Sequence, residues 1–384
     1  MAIIFLSDGA AGIGGTLTAA SIWNGPTSGV VTFQNAIKSH GAGALQHFSG
    51  ASASAYVARL ACLADAGRRI NLNVSFNGYG GSGGSGIIRA LNGSVTNFEI
   101  RLTNAGKLAL YGGSSGTTLL DTSTITLSLN TFYRIALCYV ITNTTISEFR
   151  VYVDGVLECT ASNPTSQGTL ASTLRLGWTG TSPGVNISMF TSDIYVDNDT
   201  SLADPGEIFV TNKRPAGLGA TNDFAVVVGT GTNRWDRVAE LPVNTANRYS
   251  QTATGQVSES YTVEAAAVGD DDLTGATLLG WAPWVHYAVV TSSGSTLASM
   301  IANNGIVAMT TTQASGIYQT IETIIASTSY PSGNNVVGLR STGTTVDTHL
   351  AECGIFIAYT AAAALDPGPA YPRSRSSRYT QLRS

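Results

Sequence analysis

Between residues 130 and 199, four successive runs rich in apolar residues read as consecutive strands: TFYRIALCYVI, SEFRVYVDGVLECT, TLRLGWTG and SMFTSDIYVD. In the second run Phe149, Val151 and Val153 alternate with Glu148, Arg150 and Tyr152. A period of two belongs to a strand with one buried face, so these runs are expected to be antiparallel strands. Asp154-Gly155 is expected to close a hairpin, because a type I′ turn needs positive φ at both central residues. That register places Glu158 beside Val151 on the inner face. Either the strand ends there or a bulge re-aims the carboxylate.

The same pattern predicts strands upstream at Ile3–Leu6, Val30–Phe33, Tyr56–Leu60 and in NLNVSFNGY. Gly78–Gly86 is read as a flexible hairpin loop. IIRAL, NFEIRLT and KLALYGG then form a meander, with a turn at Asn104-Ala-Gly106. Downstream, strands are expected at Tyr261–Val268, Val285–Val290, Ile306–Met309, Ile317–Ile325, Val336–Leu339 and Glu352–Tyr359. IFIAY and HYAVV are apolar on both faces. They therefore imply a sheet covered on both sides, or one packed against neighbouring subunits.

Composition sharpens this reading. At 384 residues the chain exceeds the size at which one core stops growing, so two domains are expected. Charged residues make up 11%, against roughly 25% in an average domain. The 43 glycines and the many Ser and Thr favour strands and turns, and signals for helices are few. The expected class is all-β. Pro205-Gly206 and Lys213-Arg-Pro-Ala-Gly217 punctuate the chain. This divides it into a sandwich over 1–215, a second β-rich sandwich domain over 216–365 and an extended arm over 366–384.

Three features together resemble the concanavalin A-like, laminin-G-like jelly roll: the Asn130-Thr-Phe-Tyr133 step, the Tyr152-Val-Asp-Gly155 hairpin and Asp193-Ile-Tyr-Val-Asp197. With this spacing and a second β-rich segment following, the chain is similar to virion proteins of tailed bacteriophages. Asn233-Arg-Trp235, Arg248-Tyr249 and the Glu352–Tyr359 strand match that second segment loosely. The resemblance covers roughly residues 1–215, most clearly from about 69 to 200. It implies that the first strand, Ile3–Leu6, pairs with Ile187–Val196. It also implies a calcium ion, if any metal is bound, at a loop rim built from Asp197, Asp199 and Asp204. Asp270-Asp-Asp272 is a second such candidate; otherwise no cofactor is expected.

Motifs with catalytic lettering are discounted. Gly80–Gly84 and Gly112–Gly116 match G-x-S-x-G, but no helix follows either of them and no His and acid are suitably placed. The four histidines, His40, His47, His286 and His349, show no metal-ligand spacing. Cys62, Cys138, Cys159 and Cys353 are read as buried reduced thiols. The paired carboxylates of sugar-cleaving jelly rolls are missing, Asp193 and Asp197 being the nearest approach. The expectation is a protein that is not an enzyme.

The best binding candidate is the aromatic cluster Trp281, Trp284, His286 and Tyr287, placed to stack on a sugar ring or a partner side chain. The opposing reading puts it in the core. Charge is unevenly spread: residues 249–372 hold one basic side chain and nine acidic ones, and residues 373–384 hold four arginines and no acid. Arg373, Arg375, Arg378 and Arg383 are therefore expected to form an assembly arm gripping an acidic face of a neighbouring copy. An acidic body without a basic aromatic groove argues against nucleic acid.

The first function class is a structural virion protein of a tailed phage: a tail-fibre, tail-tip or head-decoration subunit on the particle exterior. Its partners would be itself, with a trimer favoured, other virion proteins and a host cell-surface glycan. The alternatives are a glycan-binding lectin or adhesin and, further off, a glycoside hydrolase. MAIIFLSDGAAGIGG has no basic start, and no run approaches the roughly 20 apolar residues of a membrane helix. The expectation is synthesis in the host cytoplasm without a signal peptide or membrane insertion.

Overall fold

The computed structural model describes residues 3–7, 28–34, 44–49, 54–59, 62–63, 67–81, 84–112, 116–142, 145–162, 171–179, 186–224, 226–228, 238–239, 248–268, 271–289, 297–302, 305–308, 319–325, 327–333 and 336–361. Among these residues there is no α-helix, and the strands lie in three antiparallel sheets. The all-β expectation is met.

The first half supplies β1 (Ile3–Ser7), β2 (Val30–Gln34), β3 (Ala44–Ser49), β4 (Ala55–Arg59), β5 (Gly67–Phe76), β6 (Ser85–Asn92), β7 (Val95–Leu102), β8 (Leu108–Gly112), β9 (Thr118–Thr122), β10 (Tyr133–Thr142), β11 (Thr145–Val153), β12 (Val156–Ser162), β13 (Thr173–Thr179) and β14 (Ile187–Asp197). One sheet runs β12-β11-β10-β5-β14-β3-β2, with β1 paired to β14. The other runs β4-β13-β6-β7-β8-β9. Between them lie alternate residues of each strand, such as Leu72, Val74 and Phe76 of β5 and Phe98, Ile100 and Leu102 of β7. Phe98 meets Phe149 edge-on, with ring centroids 4.5 Å apart. Leu6 of β1 faces Tyr195 of β14, as the resemblance implies.

The hairpin forms as read. Val153 faces Val156, with Asp154 at φ 48° and Gly155 at φ 89°. A bulge follows: Val151 pairs with Cys159 and Tyr152 with Leu157. Cys159 thereby enters the core in place of Glu158, whose carboxylate turns out and accepts the backbone N–H groups of Thr124 at 2.8 Å and Ile125 at 3.0 Å.

Two expectations fail here for reasons of pairing. The segment Gly78–Gly86 does not close a hairpin. It carries the chain between layers, since β5 pairs with β10 and β14 whereas β6 pairs with β7 and β13. Strand β3 was not expected, because Gln46 and His47 interrupt its apolar pattern. Gln46 in fact bonds sideways to Gln34 and Ser188, and His47 points inward to Thr191.

The second half supplies β15 (Phe209–Lys213), β16 (Pro215–Asn222), β17 (Val226–Val228), β18 (Arg248–Val263), β19 (Thr277–Val289), β20 (Leu297–Ala302), β21 (Gly305–Ala308), β22 (Gln319–Glu322) and β23 (Val337–Thr360). All nine belong to one sheet. Strand β23, 24 residues long, is its spine, with β18 and β15 along one edge and β20 and β19 along the other. The sequence pattern divides this strand in two because Ser341–Thr348 lacks apolar alternation. Its backbone is nevertheless paired to β18 throughout, with one register shift between Thr344 and Val346. Strand β15 already belongs to this sheet, so the second sheet begins ahead of the expected boundary at 215. The expected arm, 366–384, lies outside the described residues.

The two halves are joined by a shared core. On β19, Trp281, Val285 and Tyr287 face the second half's own cluster, while Ala282 and Trp284 belong to the cluster of the first half. Strand β23 divides likewise: Ile355 and Ile357 face one way, Phe356 and Ala358 the other. This explains the two-sided apolar strands. At these residues both faces are covered by the same chain.

Candidate functional site

The aromatic cluster singled out in the sequence is not a binding surface. Trp281, Trp284 and Tyr287 are each 1% exposed and His286 is buried, with burial holding its imidazole down at about 4. The alternation along β19 sends these side chains into the two clusters, and the Trp284 indole donates to Asn212 Oδ1 at 3.2 Å. No sugar reaches their faces. The core reading is the correct one.

The proposed calcium ligands are held by arginines instead. Asp197 is fully buried and accepts Arg69 Nη2 at 2.7 Å and Nε at 3.1 Å; Asp199 lies 3.2 Å from the same guanidinium. Asp204 accepts both terminal nitrogens of Arg134, each at 2.7 Å. Among the described residues no group of three His, Cys, Asp or Glu is placed to hold a metal ion. In the second half, the loop containing Asp271 and Asp272 folds over a built-in cation. The Lys213 ammonium, fully buried, donates to the carbonyls of Ala266, Val268 and Asp271. Its positive charge stands where the loop's carbonyls converge. Arg373, Arg375, Arg378 and Arg383 lie outside the described residues, as do His40, Asn233 and Trp235.

Asp193 and Asp197 do not form an acid and base pair. Asp193 sits at φ 51° in a bulge of β14, where the register shifts between Ser192 and Tyr195. Its Oδ2 accepts Asn73 Nδ2 at 2.8 Å and the Ser192 hydroxyl at 3.2 Å, and its Oδ1 accepts the Val210 N–H at 2.9 Å. It therefore ties β14 of the first half to β15 of the second. His47, buried between the sheets with its imidazole lowered to about 3, is a core residue. The four cysteines are buried thiols, and burial raises Cys62 to about 11 and Cys138 and Cys159 to about 12.

A different site assembles on the outer face of the six-stranded sheet. The register aligns one row across all six strands: Ala58, Arg175, Arg89, Glu99, Tyr111 and Leu119. Arg101 and Tyr56 stand on the same face of β7 and β4, two residues from Glu99 and Ala58 along their strands. Glu99, 1% exposed, accepts Arg89 Nε at 2.9 Å, Arg101 Nε at 2.8 Å and the Thr179 hydroxyl at 3.1 Å. A buried carboxylate is tolerated because all these donors converge on it. Gly86 leaves the room: a Cβ there would collide with Glu99 Oε1.

Two guanidiniums are stacked on rings, Arg101 over Tyr111 at 4.0 Å and Arg175 over Tyr56 at 4.6 Å. Among the described residues no carboxylate pairs with Arg175, and its Nε is buried without a hydrogen-bond partner. Three cations thus stand on a half-buried face with one anion, which engages Arg89 and Arg101. Sequence reasoning missed the row because its members come from separate segments. The available signal was a charged residue set inside otherwise apolar strands: Arg89 in IIRAL, Glu99 and Arg101 in FEIRL, and Arg175 in LRLGW.

No family model matches the sequence, and none of the curated proteins matches it significantly. Solved structures similar in fold include an endo-β-1,4-glucuronan lyase from the fungus Trichoderma reesei, at 13% identity and a TM-score of 0.39, covering 52% of this chain and 98% of that one. They also include a cellulose-induced protein, Cip1, at 14% identity and 0.37, covering 45% and 87%. A third is an alginate lyase of polysaccharide lyase family 7, at 10% and 0.32, covering 40% and 77%. At these identities and TM-scores the likeness is one of fold alone, and the sandwich is shown by the chain's own two facing sheets. The expectation that it is not an enzyme is corrected by the same finding. Proteins titled lyases are among the solved structures this chain is similar to.

Proposed function

We propose that the chain is a structural protein of the exterior of a tailed-bacteriophage particle, a tail-fibre, tail-tip or head-decoration subunit whose sandwich, with the nine-stranded sheet fused to it, presents surface for assembly and host contact. The observation that carries this reading is the shared core. Domains in one chain are ordinarily joined by modest, polar interfaces that permit relative motion. Here Trp284 and Phe356 of the second sheet are built into the apolar cluster of the first half. A core shared between the halves holds one face at a fixed place relative to the other, as a surface-presenting subunit requires.

In this reading the protein assembles with itself, as a trimer by analogy with fibres, and with other virion proteins. Contacts between copies fall to exposed edges such as β12, where Val156 and Leu157 are 59% and 47% exposed. Electron microscopy of particles carrying a label on this chain tests the proposal. Label on the particle exterior is expected, and label absent from purified particles overturns it. Light scattering should give an oligomer, and a monomer at micromolar concentration contradicts the self-assembly.

A further inference from the structure

We propose that the outer face of the six-stranded sheet binds an acidic glycan, a chain of sugars carrying carboxylates, along the row of Arg175, Arg89 and Tyr111 with Arg101 beside it. This holds whether or not the chain is built into a particle.

Charge is the first ground. Three guanidiniums and one carboxylate share the face, and that carboxylate is already engaged by Arg89 and Arg101. Arg175 brings a full positive charge with no anion among the described residues. An anionic ligand supplies what the face lacks.

Shape is the second. A guanidinium held over a tyrosine ring keeps its fork of N–H donors in place, and a planar carboxylate meets such a fork with two parallel hydrogen bonds. The Tyr56 and Tyr111 stacks and the Glu99 bonds hold three arginines in place before any ligand arrives. From Arg175 to Tyr111 the row crosses three interstrand spacings, about 14 Å. A linear polymer fits such an open row better than a single small anion.

Other polyanions fit less well. Single-stranded nucleic acid binds by stacking bases on free aromatic faces, and here guanidiniums cover the two tyrosines. An acidic peptide would use a free strand edge or apolar pockets, and this row crosses the middle of a paired sheet.

Calorimetric titration of the full chain with an oligogalacturonate, its methyl ester and oligo-dT tests the proposal. The free acid is expected to bind, more weakly as salt rises from about 0.05 to about 0.3 M, and the ester is expected not to bind. Arg175→Ala should weaken binding by about tenfold or more. Its melting temperature should fall by only a few degrees, because the described contact it loses is the stack on Tyr56. Arg175→Lys, which keeps the charge but not the fork, should fall between the two. Equal binding of acid and ester, equal affinity of wild type and Arg175→Ala, or oligo-dT binding as tightly as the acid would each overturn it. A failure here leaves the microscopy of particles unaffected, so the two proposals fail separately.

Discussion

The indole of Trp284 lies against the ring of Phe356, with centroids 5.8 Å apart and planes 24° from parallel. Both residues belong to the sheet of the second half, yet both pack in the cluster of the first. Trp284→Ala should therefore cost about 3–5 kcal/mol, the range for removing a large buried ring. Urea denaturation followed by far-ultraviolet circular dichroism measures it, and an unchanged midpoint would contradict the packing.

The polar counterpart of that contact is Asp193. Replacing it with Ala leaves the Val210 N–H and the Asn73 amide without the acceptor that joins β14 to β15. A loss of about 2–3 kcal/mol is expected, since these bonds go to a charged group in a buried place. Asp193→Asn, which keeps one acceptor oxygen, should lose less. The same denaturation experiment ranks the three proteins.

How much of this was legible beforehand differs by element. The Asp154-Gly155 hairpin was, because positive φ restricts residue choice so sharply, and so was the pairing of Ile3–Leu6 with β14. The two-sided apolar pattern of β19 and β23 was visible too, but a pattern cannot say whether the covering surface is another subunit or the rest of the chain. Trp281 and Trp284 looked like a binding cluster for the same reason: burial depends on what folds over them. The arginine row was illegible in one dimension, since Arg175, Arg89 and Glu99 become neighbours only when the strand order is known.

A buried ion pair links the halves at their edges. Arg59 of β4 lies 3.1 Å from Glu322 of β22, whose side chain is 2% exposed. Burial pushes the Glu322 carboxyl up from its ordinary 4.5 to about 7, with Arg59 partly opposing. An acid whose folded pKa lies above its unfolded value holds its proton more tightly when folded. Its contribution to stability is full below about 4.5 and is lost as the pH rises through about 7. His47 and His286, held neutral by burial, act in the opposite sense and favour folding less as the pH falls below 6.5. The difference between wild type and Glu322→Gln isolates the carboxyl. The stability of the variant relative to wild type should rise between pH 4.5 and 7, by on the order of 2–3 kcal/mol. A constant difference across that range would contradict the assignment.

Gly86 is the position on which the arginine row depends. Ala there would place a methyl group against Glu99 Oε1 and Thr179 Oγ1. The expected cost is about 1–3 kcal/mol, the usual penalty for crowding a packed site. The displaced carboxylate should also release Arg89 and Arg101. Thermal melting measures the first effect, and the oligogalacturonate titration measures the second.

Continuity of the core between the halves is tested most directly by differential scanning calorimetry of the full chain. One transition is expected, with calorimetric and van't Hoff enthalpies equal, and Trp284→Ala should lower its midpoint or divide it. Two independent transitions in the unsubstituted protein, each unaffected by that change, would contradict a shared core.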